Sequence, residues 1–181
     1  MSSTRVALAG FLAVFLLPLA VHAGYWLAVD DGGPWNRARW TSAKLLPDPR
    51  TSPDATVHIY AARTGRWKGI FSHHCWIVLK EKGASAYLRY DKVGWGLPVR
   101  TNNWPPDAYW YGHAPVLVAR FDGPTAEAMI PRLQAAIASY PYARAGDYRV
   151  WPGPNSNTFV AWVLAAIPEA KIALPATAIG K

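Results

Sequence analysis

The most apolar stretch of the chain comes first. After Arg5 no acid or fixed cation occurs until Asp30, so Val6 to Val29 supplies 24 residues of mostly apolar sequence. About 20 helical residues cross the hydrocarbon of a bilayer. The pattern therefore predicts an N-terminal transmembrane or signal helix over residues 1–29. Val21-His22-Ala23 is an acceptable small-residue cleavage box. The apolar run continues past it through Tyr25, Trp26 and Leu27, placing aromatics where an interfacial belt would lie, and this favours an uncleaved anchor. Arg37, Arg39 and Lys44 on the far side balance Arg5, so the charge rule assigns no orientation.

Residues 30–54 are dense in Gly, Pro, Asp and Ser and are expected to form an extended linker. From residue 55 to 181 the pattern becomes that of a folded domain. "ATVHIYAAR" sets Val57, Ile59 and Ala61 against Thr56, His58 and Tyr60, the alternation of a strand with one apolar face. "GIFSHHCWIVLK", "ASAYLRYDKVGW" and "PVLVARFDG" predict three more strands, the first two joined by a short Gly-containing turn. Residues 124–139 carry Ala126, Met129, Ile130, Leu133 and Ile137 at helical spacing, with Pro131 expected to kink or divide the helix. A last helix cannot begin before Asn155, because Pro152 and Pro154 hold the chain extended. Phe159, Val160, Trp162, Val163, Leu164 and Ile167 leave it almost no polar face, so it should be buried, and Pro168 should end it. The fold class that follows is α+β, an antiparallel sheet packed on a buried helix.

Composition narrows the function. With 51% hydrophobic and 17% charged residues the chain is not disordered. Lys and Arg exceed Asp and Glu by 19 to 11, and the net charge of +8 favours anionic surfaces. The basic residues are scattered singly between aromatics, and no helix-turn-helix, zinc-finger or RNA-binding pattern accompanies them, so no nucleic-acid partner is expected. The expected partner is a membrane, reached through the N-terminal helix, with an anionic lipid or cell-wall substrate. A single cysteine, Cys75, excludes an internal disulfide and a multi-thiolate zinc site.

Ser156 is expected at the start of the buried helix, where backbone N–H groups can stabilise an oxyanion. The alternative is that Ser156 and Asn157 merely cap that helix. A nucleophile there needs a base, and His58, His73, His74 and His113 lie outside the anchor. Strand alternation puts His73 and Cys75 on one face, where His58 from the next strand could complete a metal set, and puts His74 on the other. Tyr87, Arg89 and Asp91 share a strand face, and only Asp91 offers a carboxylate to an imidazole; the alternative pairs Asp91 with Lys92 or Arg100. "ARTGRWKG" gathers Arg63, Arg66 and Lys68 around Trp67, suited to a sugar, a phosphate or a solvated hairpin tip, and the long aromatic loop of residues 102–113 could shape a binding surface.

"HCWIV" followed far downstream by "NSNTFVAWVL" resembles the circularly permuted papain-like proteins, the group of the lecithin:retinol acyltransferase-like enzymes and their bacterial NlpC-type relatives. The domain, through "ARTGRWKGI" and "WPGPNSNTFVAW", is also similar to a bacterial family of unassigned function. The papain-like resemblance implies His74 as general base and Ser156 in the nucleophile's place, where the group carries cysteine. With Asp91 as orienter, these would form a catalytic set, and Asn155, Asn157, Trp76 and Trp151 would contact substrate. No metal or other cofactor is implied. Serine lacks the partial ionisation of a thiol at neutral pH, so it depends far more on a well-placed base. The expected function is an envelope-anchored hydrolase or acyl-transfer enzyme cleaving an amide or ester of cell-wall peptide or lipid, in the inner membrane with a periplasmic domain. The alternative is a catalytically silent module that binds a glycan, peptide or lipid.

Overall fold

The computed structural model describes residues 3–29 and 34–181. The first helix, α1 (Ser3–Val29), has a mean hydropathy of 2.3 in its most apolar window and is long and apolar enough to be a signal anchor or membrane span. Five strands follow: β1 (Thr56–Arg63), β2 (His73–Lys80), β3 (Leu88–Lys92), β4 (Val99–Thr101) and β5 (Val116–Asp122). They form one antiparallel sheet in the order β4-β3-β2-β1-β5. Two helices, α2 (Gly123–Ala138) and α3 (Ser156–Leu164), pack on one face of that sheet. The α+β architecture expected from the pattern is observed.

Period-two alternation gives β2 two different jobs. Cys75, Ile77 and Leu79 point to the helices and join Val57, Ile59, Met129, Leu133, Phe159 and Val163 in the larger core. Trp76 and Val78 point the other way, into a second cluster with Tyr60, Ala62, Tyr87, Val93 and Trp110. Among the described residues no helix covers that second face. Trp40, Leu46, Trp104 and Tyr111 pack over it instead, from loop segments. Both faces of β2 are thus covered, which explains its nearly unbroken apolar run.

The second layer corrects the expected linker. Ser42 bridges to Ala108, the Tyr109 N–H donates to the Thr41 carbonyl at 2.9 Å, and the Leu45 N–H donates to Asp107 Oδ2 at 2.6 Å. Trp40 stacks edge-on against Trp110. Residues 40–46 are therefore part of the packed layer rather than a tether; residues 30–33 of that segment lie outside the described residues. Proline and glycine mark irregular backbone, and here irregular backbone packs through its interspersed tryptophans.

Pro131 does not divide α2. It lies on the exposed side, while Ala126, Met129, Ile130 and Leu133 form a continuous buried stripe at helical spacing, and the packing of that stripe holds the helix through the proline. The strand expected from residue 69 begins only at His73. Residues Arg66–Ile70 form a short 3-10 helix instead, at the turn between β1 and β2.

α1 is joined to that turn. Trp26 Nε1–H donates to the Arg66 carbonyl and His22 Nε2–H donates to the Ile70 carbonyl, each at 3.0 Å. The Trp26 ring also meets the His113 ring at 4.9 Å and lies under the Arg63 guanidinium.

Candidate active site

The start of α3 is built by Asn155. Its side-chain oxygen accepts from the N–H groups of Asn157 (2.8 Å) and Thr158 (3.1 Å), and Thr158 Oγ1 accepts from the Asn155 N–H, closing a capping box. Its amide nitrogen donates to the carbonyls of Val150 and Ile179, both at 3.0 Å. Asn155 is the N-cap, and the capping role considered for Ser156 and Asn157 is corrected. Ser156 is the first helical residue. Of the N–H groups at residues 156–158, Asn155 takes two, and that of Ser156 turns to the Tyr148 hydroxyl.

That residue opens onto a cavity of about 270 Å³ between the β1–β2 turn and the approach to α3. Lys68, His73, Trp95, Tyr148, Ser156 and Asn157 contribute to its wall. The chain's end closes one side: the His73 N–H donates to the Thr177 carbonyl (2.9 Å), the Asn157 side-chain nitrogen donates to the carbonyls of His73 (3.1 Å) and Ile179 (2.9 Å), and Thr158 Oγ1 donates to the Gly180 carbonyl. Gly180 is in the left-handed region at φ 75°, and a Cβ there would lie 2.6 Å from the Pro152 carbonyl oxygen, so the tail and the Pro-rich approach are fitted to each other.

Two buried polar atoms of the cavity residues have no hydrogen-bond partner among the described residues: His73 Nδ1 and Asn157 Oδ1. Burial is the main reason the His73 imidazole falls to about 4, with Arg63 and His113 adding to the fall, so the ring is neutral at neutral pH. Burial raises the Tyr148 phenol, and hydrogen bonds from the side chain and backbone of Ser156 act against that rise without cancelling it. The phenol stays protonated and able to donate.

His74 lies elsewhere. It belongs to the opposite face of β2, stacked on Trp110 at 3.7 Å between ring centroids and hydrogen-bonded through Nε2 to Asp91 Oδ1 at 2.8 Å. Arg89 completes the group: Nε reaches Asp91 Oδ2 at 2.6 Å, one terminal nitrogen reaches Oδ1 at 2.8 Å, the other donates to the Pro105 carbonyl, and the guanidinium lies 4.2 Å from the Trp76 ring centre. All three side chains are buried. Burial pushes Asp91 upward, but the Arg89 charge and the His74 hydrogen bond outweigh it and leave the carboxyl below its ordinary range. Burial likewise holds His74 below its ordinary value, against the pull of Asp91. The group is a carboxylate–guanidinium ion pair with a neutral imidazole donating to it.

The expected residues are thus brought together in two sets. His74 and Asp91 meet, with Arg89 as the carboxylate's partner in place of Lys92 or Arg100, but across the sheet from Ser156. Ser156, Asn155 and Asn157 meet around the cavity, with His73 as their histidine. Trp76 is fully buried in the second layer, away from the cavity, and Trp151 is 69% exposed beside it. The metal set is also divided: His58 faces the second layer, stacked on Tyr60, while His73 and Cys75 face the helices. Tyr148 emerges as a cavity residue for which the sequence carries no site signal; Lys68 belongs to the "ARTGRWKG" cluster, and the alternation of β2 was the signal available for His73.

A model of a protein family matches residues 54–181, which holds the whole sheet, both packed helices and every residue of the cavity. The chain belongs to that family, described as "Protein of unknown function (DUF3750)". No curated protein and no solved structure matches the chain. In this DUF3750 chain, α1 and the strip at residues 40–46 that covers the second face lie outside the matched region.

Proposed function

We propose that the cavity is the reaction site of a hydrolase or acyl-transfer enzyme of permuted papain-like type, acting on an ester or amide, with Ser156 as nucleophile and His73 as general base. The observation that carries this reading is the freedom of Ser156 from the capping task, its hydroxyl sharing one cavity with a neutral imidazole. Ser156 Oγ attacks the carbonyl carbon as its proton passes to His73. The carbonyl oxygen takes the negative charge and is met by the Ser156 N–H and the Tyr148 hydroxyl, which substrate entry parts from each other. Collapse of the adduct expels an alcohol or amine, which takes the proton from His73, and the acyl-serine passes to water or to an acceptor by the reverse sequence. α1, long and apolar enough to be a signal anchor or membrane span, supports a site at the cell envelope, and this reading takes the inner membrane as anchor and the periplasm as the side of the domain.

A second reading, a silent module that binds an ester- or amide-bearing ligand, is favoured by two observations. Among the described residues no carboxylate lines the cavity to orient His73, and an imidazole at about 4 is a weak base for a serine. The two readings part on covalent chemistry. A fluorophosphonate probe on the full chain should form an adduct at Ser156 that is lost in Ser156→Ala and in His73→Ala and kept in the other variants of exposed serines. No adduct at Ser156 under any of these conditions overturns the enzyme and leaves the binding module.

A further inference from the structure

α1 ends against the turn that also walls the cavity, and this junction fixes where a membrane would meet the domain. Val6 to Tyr25, the apolar run after Arg5, is about 30 Å of helix at 1.5 Å per residue, close to the roughly 30 Å of a hydrocarbon core. Trp26, which binds the Arg66 carbonyl, then falls at the headgroup boundary, and His22, which binds the Ile70 carbonyl, one turn deeper. The joint is specific. A Cβ on Gly69 would sit 2.3 Å from the Trp26 ring, and Arg66 is held in the left-handed region, at φ 59°, where its carbonyl meets the indole N–H.

The same short segment turns two large aromatic side chains outward. Trp67 is 57% exposed and Phe71 43%, and their rings contact each other at 5.7 Å. Arg66 is exposed beside them, and Lys68 faces the cavity. Aromatic rings with adjacent cations are the composition that settles at a bilayer's polar–apolar boundary, with the cation near anionic headgroups.

We propose that residues 66–71 form a membrane-seating platform: Trp67 and Phe71 enter the headgroup layer of an anionic bilayer beside α1, with Arg66 against lipid phosphates. Trp67 and Phe71 are the contact points, and α1 sets their depth through the His22 and Trp26 hydrogen bonds. Lys68 stands on the same segment and lines the cavity, so the cavity opens at the lipid surface and draws its ligand from there. The inference needs α1 in the membrane and does not need Ser156 to be a nucleophile.

The test is depth measurement on the full chain in phosphatidylglycerol-containing vesicles. Cys75 is buried and burial pushes its thiol up to about 12, so an introduced cysteine is labelled selectively. Nitroxides are placed at Trp67→Cys and Phe71→Cys, at Val14→Cys within α1, and at Ser85→Cys, an exposed position in the turn at the far end of β2. Each is read by collision with dissolved oxygen and with a water-soluble nickel chelate. The platform predicts oxygen-to-nickel ratios at 67 and 71 several-fold above that at 85 and below that at 14. Ratios at 67 and 71 equal to that at 85, with 14 protected, overturn the platform and leave the anchor standing. Nickel access at 14 as well removes both.

Discussion

Adjacent residues with the same side chain can differ completely in role, and His73 and His74 show the size of that difference. His74 is locked into the Arg89–Asp91 pair, and truncating one member of a buried charged group strands the rest. His74→Ala is expected to lower stability by about 3 kcal/mol, read by denaturant unfolding in detergent, while Ser156 keeps its reactivity toward a fluorophosphonate. His73→Ala should do the reverse: an unfolding midpoint within about 1 kcal/mol of the parent and a loss of Ser156 labelling rate on the order of a hundredfold or more. Equal effects of the two substitutions would contradict the division of the site across the sheet. Because His73 titrates at about 4, labelling should hold as pH falls through 6 and fail near 4. An acid limb at the ordinary histidine value of 6.5 would show that His73 is not the base. Asn155→Ala removes the cap, strands the Val150 carbonyl and leaves that of Ile179 to Asn157 alone, and should cost about 2 kcal/mol, measured by the same unfolding.

At the scale of elements, the helices and the long strands were legible because their buried faces repeat at 3.6 or 2 residues. The buried stripe of α2 and the alternation of β1 are direct cases. β4, with only three residues, Val99–Thr101, has no room for a period. The packed strip at residues 40–46 was missed for a related reason: it is held by single hydrogen bonds and by Trp40, with no repeating face. In the site, the seam before α3 was legible from Pro152, Pro154 and the polar run behind them, and alternation already separated His74 from His73. Which of the two meets Ser156 depends on the side of the sheet that α3 covers, a choice made by packing between residues 80 or more apart in sequence. Tyr148 comes from irregular backbone with no pattern at all. The joint between α1 and the 66–70 turn makes a prediction of its own. Gly69→Ala drives a methyl into the Trp26 ring, so amide exchange in residues 66–70 should quicken while the β1–β2 ladder stays protected, as read by hydrogen–deuterium exchange.

For the whole molecule, the buried histidines tie stability to acidity. His58 and His73 each fall from 6.5 to about 4, chiefly through burial. The unfolded chain binds protons at these positions between pH 6.5 and 4 and the folded chain does not, so stability is full above 6.5 and declines as pH drops toward 4. Asp91, held below its ordinary range, adds a loss that begins only at still lower pH. A midpoint in denaturant that is flat from pH 7 to 4 would contradict this. Replacing His58 with glutamine should flatten part of the slope.

The tail that closes the cavity has a consequence for biosynthesis. A polypeptide emerging from the ribosome presents the greasy helix before the strands, and can stack most of the sheet while later codons are still being read. The carbonyl of Ile179, gripped by Asn155 and Asn157, arrives after every strand and both packed helices. Until translation has delivered it, the wall around Ser156 is incomplete, and a nascent chain already tethered to its bilayer carries no finished pocket.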